Sequence, residues 1–276
     1  MTPSLPEAAL KVKSAALDLQ KVLEKDRLAR QAKPKIAAFF EMQKDLVLKE
    51  LEALRPHFPE PEAKMQKAPP LPKIVDTAWN AIWESVSKDT TGTLQTLIKS
   101  IESEGLLKGA LQMKKVVPSD KSTFDLSNPR AVAWFNEMGG STKYITGMQD
   151  TTRDEIKTLI TNALDTGQSY TQTAKDISDA FDGMSRERAQ TIAVYESAQA
   201  YESGNMMFAQ TLVEDGIDME KFYQTSEDDL VSDLCQGNQD DDWIPIDQYH
   251  TSGVQQPPGH VRCRCFEKYR QKGKEY

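Results

Sequence analysis

Apolar residues recur at about one helical turn through most of the chain, and only the last quarter changes period. Leu17, Val22, Leu28, Ile36, Phe39, Phe40, Leu46, Val47 and Leu54 mark the first such stripe. They lie in a stretch from Glu7 to Leu54 rich in the strong helix formers Ala, Leu, Lys, Glu and Gln. Pro34 removes a backbone donor in the middle, so two long helices with a bend near Lys33 are predicted. Helices of this length cannot bury their own stripe. They either close the domain's core as a hairpin or reach out as an arm to another protein. Pro56, Pro59, Pro61, Pro69, Pro70 and Pro72 then predict a stiff linker over 56–72. A second helical stretch runs from about Ile74 to Lys115, with Trp79, Ile82, Trp83 and Val86 as packing core.

After Pro118 the texture shifts. Asn128 is placed to cap a helix with Pro129 at its first position, carrying Trp134 and Phe135 and ending at Gly139-Gly140. Thr151-Thr152, with Asp154 and Glu155 each three residues on, has capping-box spacing and predicts a helix start. Ile156, Leu159, Ile160, Ala163 and Leu164 form its apolar face, and Gly167 stops it. Another helix is expected from Thr171, and a further one from about Arg186 to Ser203, where small residues allow close helix approach.

From Lys221 the chain reads as short strands and loops: Phe222–Thr225, Trp243–Ile246 and Val261–Tyr269. The expected class is α+β and predominantly helical: long N-terminal helices, a central helical bundle and a small C-terminal α/β module. The domain order expected is a helical arm (1–55), the linker (56–72), a helical segment (73–120), a second helical region (121–206) and the module with its basic tail (207–276).

Composition narrows the classes. With 38% hydrophobic and 28% charged residues, the chain is polar for a compact globule, which favours an extended or partner-dependent part. A net charge of -8 excludes a polycationic DNA coat. No run of about 20 apolar residues is present to span a membrane. Met1 to Lys11 lacks the pattern of a signal peptide, so a reducing cytoplasm is the expected place of synthesis.

All three cysteines, Cys235, Cys263 and Cys265, fall in the last 42 residues, unlike a disulfide scaffold. On an extended strand Cys263 and Cys265 would share a face, with Arg262 and Arg264 on the other. His260 stands one short turn upstream, and Cys235 can return to complete a closed tetrahedral zinc site of three thiolates and one imidazole. Two other readings stay open: three thiols buried as small apolar groups, or a disulfide from Cys235 to one of the pair. A cysteine hydrolase with Cys235 or Cys263 as nucleophile and His260 or His250 as base lacks a glycine-flanked elbow.

Eleven carboxylates between Glu214 and Asp242 read as a solvated face; Asp240–Asp242 could take calcium or magnesium but lack EF-hand spacing. Arg262, Arg264, Lys268, Arg270, Lys272 and Lys274 form a basic tail, a candidate for sequence-blind contact with DNA phosphates or simply a solvated end.

Taken in order, Thr225, Asp228, Asp229, Ser232, Cys235, Ile244-Pro245, Gly253, Pro257-Pro258, His260 and Cys263-Arg264-Cys265 resemble the C-terminal motif of the phage Mu F-like head morphogenesis family. Phe124-Asp125-Leu126, Asn128-Pro129, Gly167-Gln168-Ser169 and the Ala189–Glu196 helix resemble that family's helical region, so the likeness runs from about Phe124 to Phe266. The chain departs from it at Ser232, where many members carry cysteine, and at Val194-Tyr195 before the matching Glu196. The resemblance implies a minor head protein of a tailed bacteriophage, non-enzymatic, made in the host cytoplasm and residing in the virion, in the capsid interior or at the portal vertex. Its implied partners are the portal protein, capsid or scaffold subunits and double-stranded DNA, with no membrane. Its implied work is head morphogenesis, DNA packaging or DNA ejection. The alternatives are a nucleic-acid-binding module using the basic C-terminal strand, and the cysteine hydrolase.

Overall fold

In the computed structural model the described residues are 5–58, 73–119, 122–138 and 142–274. They form helices α1 (Leu5–Leu51), α2 (Lys73–Val116), α3 (Pro129–Met138), α4 (Thr142–Thr166), α5 (Tyr170–Glu214) and α6 (Asp233–Gln239), with a 3-10 turn over Glu52–His57. Strands β1 (Met219–Gln224), β2 (Ile244–Pro245) and β3 (Phe266–Gln271) make one antiparallel sheet in the order β2-β1-β3. The expected α+β class with a small C-terminal sheet is what is found.

Four local expectations are corrected. First, α1 is one helix of 47 residues with Pro34 inside it, not two. Burial of Leu28, Ala29 and Ala32 before the proline, and of Ile36, Phe39 and Phe40 after it, offsets the cost of the missing donor. Second, α4 begins nine residues ahead of Thr151. The Thr151 and Thr152 hydroxyls donate back to the carbonyls of Gly147 and Met148, so both satisfy themselves inside the helix rather than cap it. Third, the two helices expected across 171–203 are a single one, α5, which runs through Gly183. Fourth, the last strand begins at Phe266, not Val261; residues 261–265 are loop, with Arg262 at φ 66°. Of the proline linker only Pro56–Phe58 lies within the described residues, and Pro56 is in the 3-10 turn. The linker's other prolines, and Gly139-Gly140, lie outside them.

Other ends behave as read. Asn128 Oδ1 accepts from the Arg130 amide at 2.9 Å, with Pro129 opening α3. Gly167, at positive φ, closes α4 with paired 6→1 and 5→2 hydrogen bonds. The end of α5 differs from the expected Ser203: the helix runs on to Glu214, and Gly216 closes it in the same way.

The chain separates into two compact units. One comprises residues 1–33, 99–138 and 190–276, the other 34–98 and 139–189. The second unit has its own core, built from Val47, Leu51, Leu54, Trp79, Ile82, Trp83, Ile156, Ile160, Ile177 and Phe181. Its Arg188 clamps Thr152 and Glu155 at 2.6 and 3.1 Å.

In the first unit, α2 and α5 meet through small residues. A Cβ placed on Gly109 would lie 1.9 Å from the Tyr201 carbonyl oxygen, and one on Gly204 2.1 Å from that of Leu106. Below this crossing Met113, Val116, Phe208 and Leu212 pack with Met219, Ile246 and Tyr269 from the sheet side. The edge strand β3 is met by α1. Lys21 Nζ donates to the Glu267 carbonyl at 2.5 Å, and Lys25 Nζ to the Cys265 carbonyl at 2.8 Å and Glu202 at 2.9 Å. Both lysines are buried, and they occupy backbone acceptors that an edge strand otherwise leaves open.

Candidate metal centre

Three short segments converge beside β1. Ser232 caps α6, its Oγ accepting from the Cys235 amide at 3.3 Å, which puts Cys235 in the first turn. Pro257-Pro258, joined by a cis peptide bond, leads into His260. The loop 261–265 then delivers Cys263 and Cys265 just before β3 begins. The turn at Arg262, rather than strand alternation, brings both cysteines to one side.

The three thiols are free and buried, and their sulfurs all lie within 4.8 Å of one another. Cys235 Sγ and Cys263 Sγ are 3.8 Å apart. A tetrahedral centre with metal–sulfur bonds of about 2.3 Å has sulfur–sulfur edges of about 3.8 Å, whereas a disulfide needs about 2.0 Å. His260 Nε2 is 3.3 Å from Cys235 Sγ. His260 Nδ1 donates to the Val261 carbonyl at 2.8 Å, which leaves the lone pair on Nε2; that nitrogen neighbours Cys235 and the Ser232 hydroxyl but lies outside the close group of three sulfurs. Tyr223 Oη is 3.4 and 3.5 Å from the sulfurs of Cys235 and Cys263, as a donor to thiolates should be. Burial, then the charge of the neighbouring thiols, pushes the Tyr223 hydroxyl well above its usual pKa, so it stays a donor. Hydrogen bonding from Cys265 draws the Cys263 thiol well down, and the same bond, with burial, pushes Cys265 up. The three thiols could hold a metal ion of the zinc type.

The remaining sequence candidates fall around this knot. Asp228 holds Arg264 with two bonds of 2.5 and 2.6 Å, and this pairing keeps its carboxyl below the usual range. Ser232 Oγ is 3.1 Å from His260 Nε2. Asp229 is exposed and Glu196 is buried. In the basic tail, Lys268 pairs with Asp18 at 3.0 Å and Arg270 with Glu220 at 2.9 Å, while Lys272 and Lys274 follow near the end of β3. Arg262 and Arg264 are exposed in the loop. The basic residues with a described partner are therefore neutralised one by one rather than pooled. Asp240, Asp241 and Asp242 are not gathered on one point: Asp240 accepts from Gln236 at 2.9 Å and Asp241 from the Thr251 amide at 2.8 Å.

Sequence reasoning missed two contributors. Tyr223 was read only as a strand residue, although its place two residues before Thr225 puts it on the inward face of β1. His250 is buried with Nδ1 3.3 Å from Asp241 and Nε2 3.0 Å from Glu267. Its ring meets Tyr223 edge-on at 5.2 Å. It braces the knot through Tyr223. Cys235 is 1% exposed.

Residues 154–267 match the family model described as Phage Mu protein F like protein. The match overlaps the resemblance read from Phe124 to Phe266 and includes every cysteine and His260. No curated protein and no solved structure gives a match to the chain.

Proposed function

Because residues 154–267 are of the phage Mu F-like kind, we propose that the chain is a minor head protein of a tailed phage, a virion component working beside the portal. It acts by binding during head morphogenesis, packaging or ejection. One structural Zn2+ held by Cys235, His260, Cys263 and Cys265 ties α6, the 250–265 loop and β3 together. The observation that carries the structural reading is the cluster of three buried thiols, their sulfurs within 4.8 Å of one another, an arrangement suited to a metal that holds a fold together. Catalysis by Cys235 has no support in a thiol this enclosed. Among the described residues no helix is long and apolar enough to cross a membrane.

Two measurements test this. Elemental analysis of the purified chain should find about one zinc per chain; less than a tenth of that removes the metal from the proposal. Mass spectrometry of purified particles and proheads should detect the chain at low copy number. Its absence from both would remove the virion role and leave the metal question standing.

A further inference from the structure

The part of α1 in the first unit carries a second apolar stripe that the fold does not use. Val12, Leu19 and Leu23 are 70, 58 and 53% exposed, and Ala16 between them is exposed too. Their spacing of four, three and four is that of alternating d and a positions of a heptad. In the same register Lys21 and Leu28 occupy f, the side opposite the seam, and both are buried. The seam therefore points directly away from the packed face. It extends about 17 Å from Val12 to Leu23. The flank at g is Ala15 and Val22, which form one wall of a groove of about 670 Å³ that reaches Val194, Ala198 and Phe266. The flank at e is Lys13, Gln20 and Arg27.

We propose that this strip is a docking site for an amphipathic helix of another protein, one with an apolar seam edged by carboxylates. The charges select that occupant. Among the described residues no carboxylate forms an ion pair with Lys13 or with Arg30, which follows at the next a position after Leu23; the strip's own carboxylate is the exposed Asp26 at the d position between Leu23 and Arg30. Arg27 is held by Glu24 at 2.7 Å, so it adds less. A second copy of this chain is a poor occupant. Side by side and parallel, it would set Gln20 and Arg27 against Ala15 and Val22. Antiparallel, it would set Lys13, Gln20 and Arg27 against one another. Neither arrangement forms an ion pair, and the second adds like charges. The strip is read from burial and register alone, so it stands or falls apart from the metal and from the family match.

The test uses the full chain and two labelled four-heptad peptides with leucine at a and d, one with glutamate and one with lysine at e and g. Each repels its own copies, which keeps it free to bind. Fluorescence anisotropy should show the glutamate peptide binding at least about tenfold more tightly than the lysine peptide. The double variant Leu19→Asp/Leu23→Asp should abolish binding while circular dichroism and Tm stay unchanged, since both side chains are exposed. Lys13→Glu/Arg30→Glu should reverse the peptide preference. Equal binding of the two peptides, no saturable binding of the glutamate peptide, or undiminished binding by Leu19→Asp/Leu23→Asp would overturn the proposal. So would sedimentation showing a wild-type dimer that Leu19→Asp/Leu23→Asp dissociates, which would give the strip to a second copy.

Discussion

Ser232 occupies the place where many members of the resembled family carry cysteine, and its Oγ lies 3.1 Å from the imidazole nitrogen facing the thiols. In the proposed zinc site the two positions would be alternative sources of a fourth donor. His260→Ala should weaken zinc affinity at least about tenfold, and adding Ser232→Cys should restore it, measured by competition with a chromophoric chelator. Equal affinity in His260→Ala and the parent would take His260 out of the site. Lys221 gives a separate residue-scale prediction. Burial holds its ammonium pKa down to about 8, against 10.5 when exposed, although Nζ donates to the Gln255 carbonyl at 2.7 Å. A base depressed on folding contributes stability that is complete above pH 10.5 and lost as pH falls through 8. The parent should therefore gain on Lys221→Met by up to about 3 kcal/mol between pH 7 and that upper limit, read from urea midpoints. A flat difference would show that Lys221 is solvated. The grouping of Cys235 with Cys263 and Cys265 was legible in the sequence because soft donors are scarce and clustered. Tyr223, His250 and the buried Lys21 and Lys25 were not, because each acquires its role from a partner distant in the chain.

At the level of elements, the α2–α5 crossing is the tightest contact in the first unit, backbone against backbone at Gly109 and Gly204. Gly109→Ala should lower stability by about 2–3 kcal/mol, since the obstructing atom is a carbonyl oxygen that cannot turn aside. Gly92→Ala, in an open stretch of α2 with nothing within 4 Å, should raise it by about 0.5–1 kcal/mol. Thermal melts of the two variants would expose an error in either sign. Helix existence was readable from periodicity, and so was the glycine stop at Gly167; the stop at Gly216 was not, since the helix was expected to end at Ser203. Helix continuity was not. Pro34 and the Thr151-Thr152 pair are break signals locally, yet tertiary burial on both sides of Pro34 and back-bonding by the threonine hydroxyls cancel them. The 261–265 loop shows the opposite failure. Alternating residue types suggested a strand, but Arg262 at positive φ turns the chain, and the thiols meet for a reason the pattern did not contain.

For the whole molecule, the division into two units assigns the knot to one of them and the Trp79–Trp83 core to the other. Removing the proposed zinc with a strong chelator should therefore raise amide exchange across β1, α6, residues 250–265 and β3. Residues 47–58 and 79–86 should keep their protection, as followed by mass spectrometry. Uniform loss of protection would mean that the cores do not persist separately. The resemblance made the C-terminal half interpretable, while residues 1–33 gained meaning only from their contacts with residues more than 170 positions away. Those contacts set an order of events. The acceptors of Lys21 and Lys25 are Glu202 and the backbone at 265–267, so neither lysine can be enclosed until translation has passed those codons. At roughly 5–20 residues per second the first helix waits tens of seconds in water. The earliest segment made is thus among the last to settle, and throughout that interval its outward leucines are open to whatever helix arrives first.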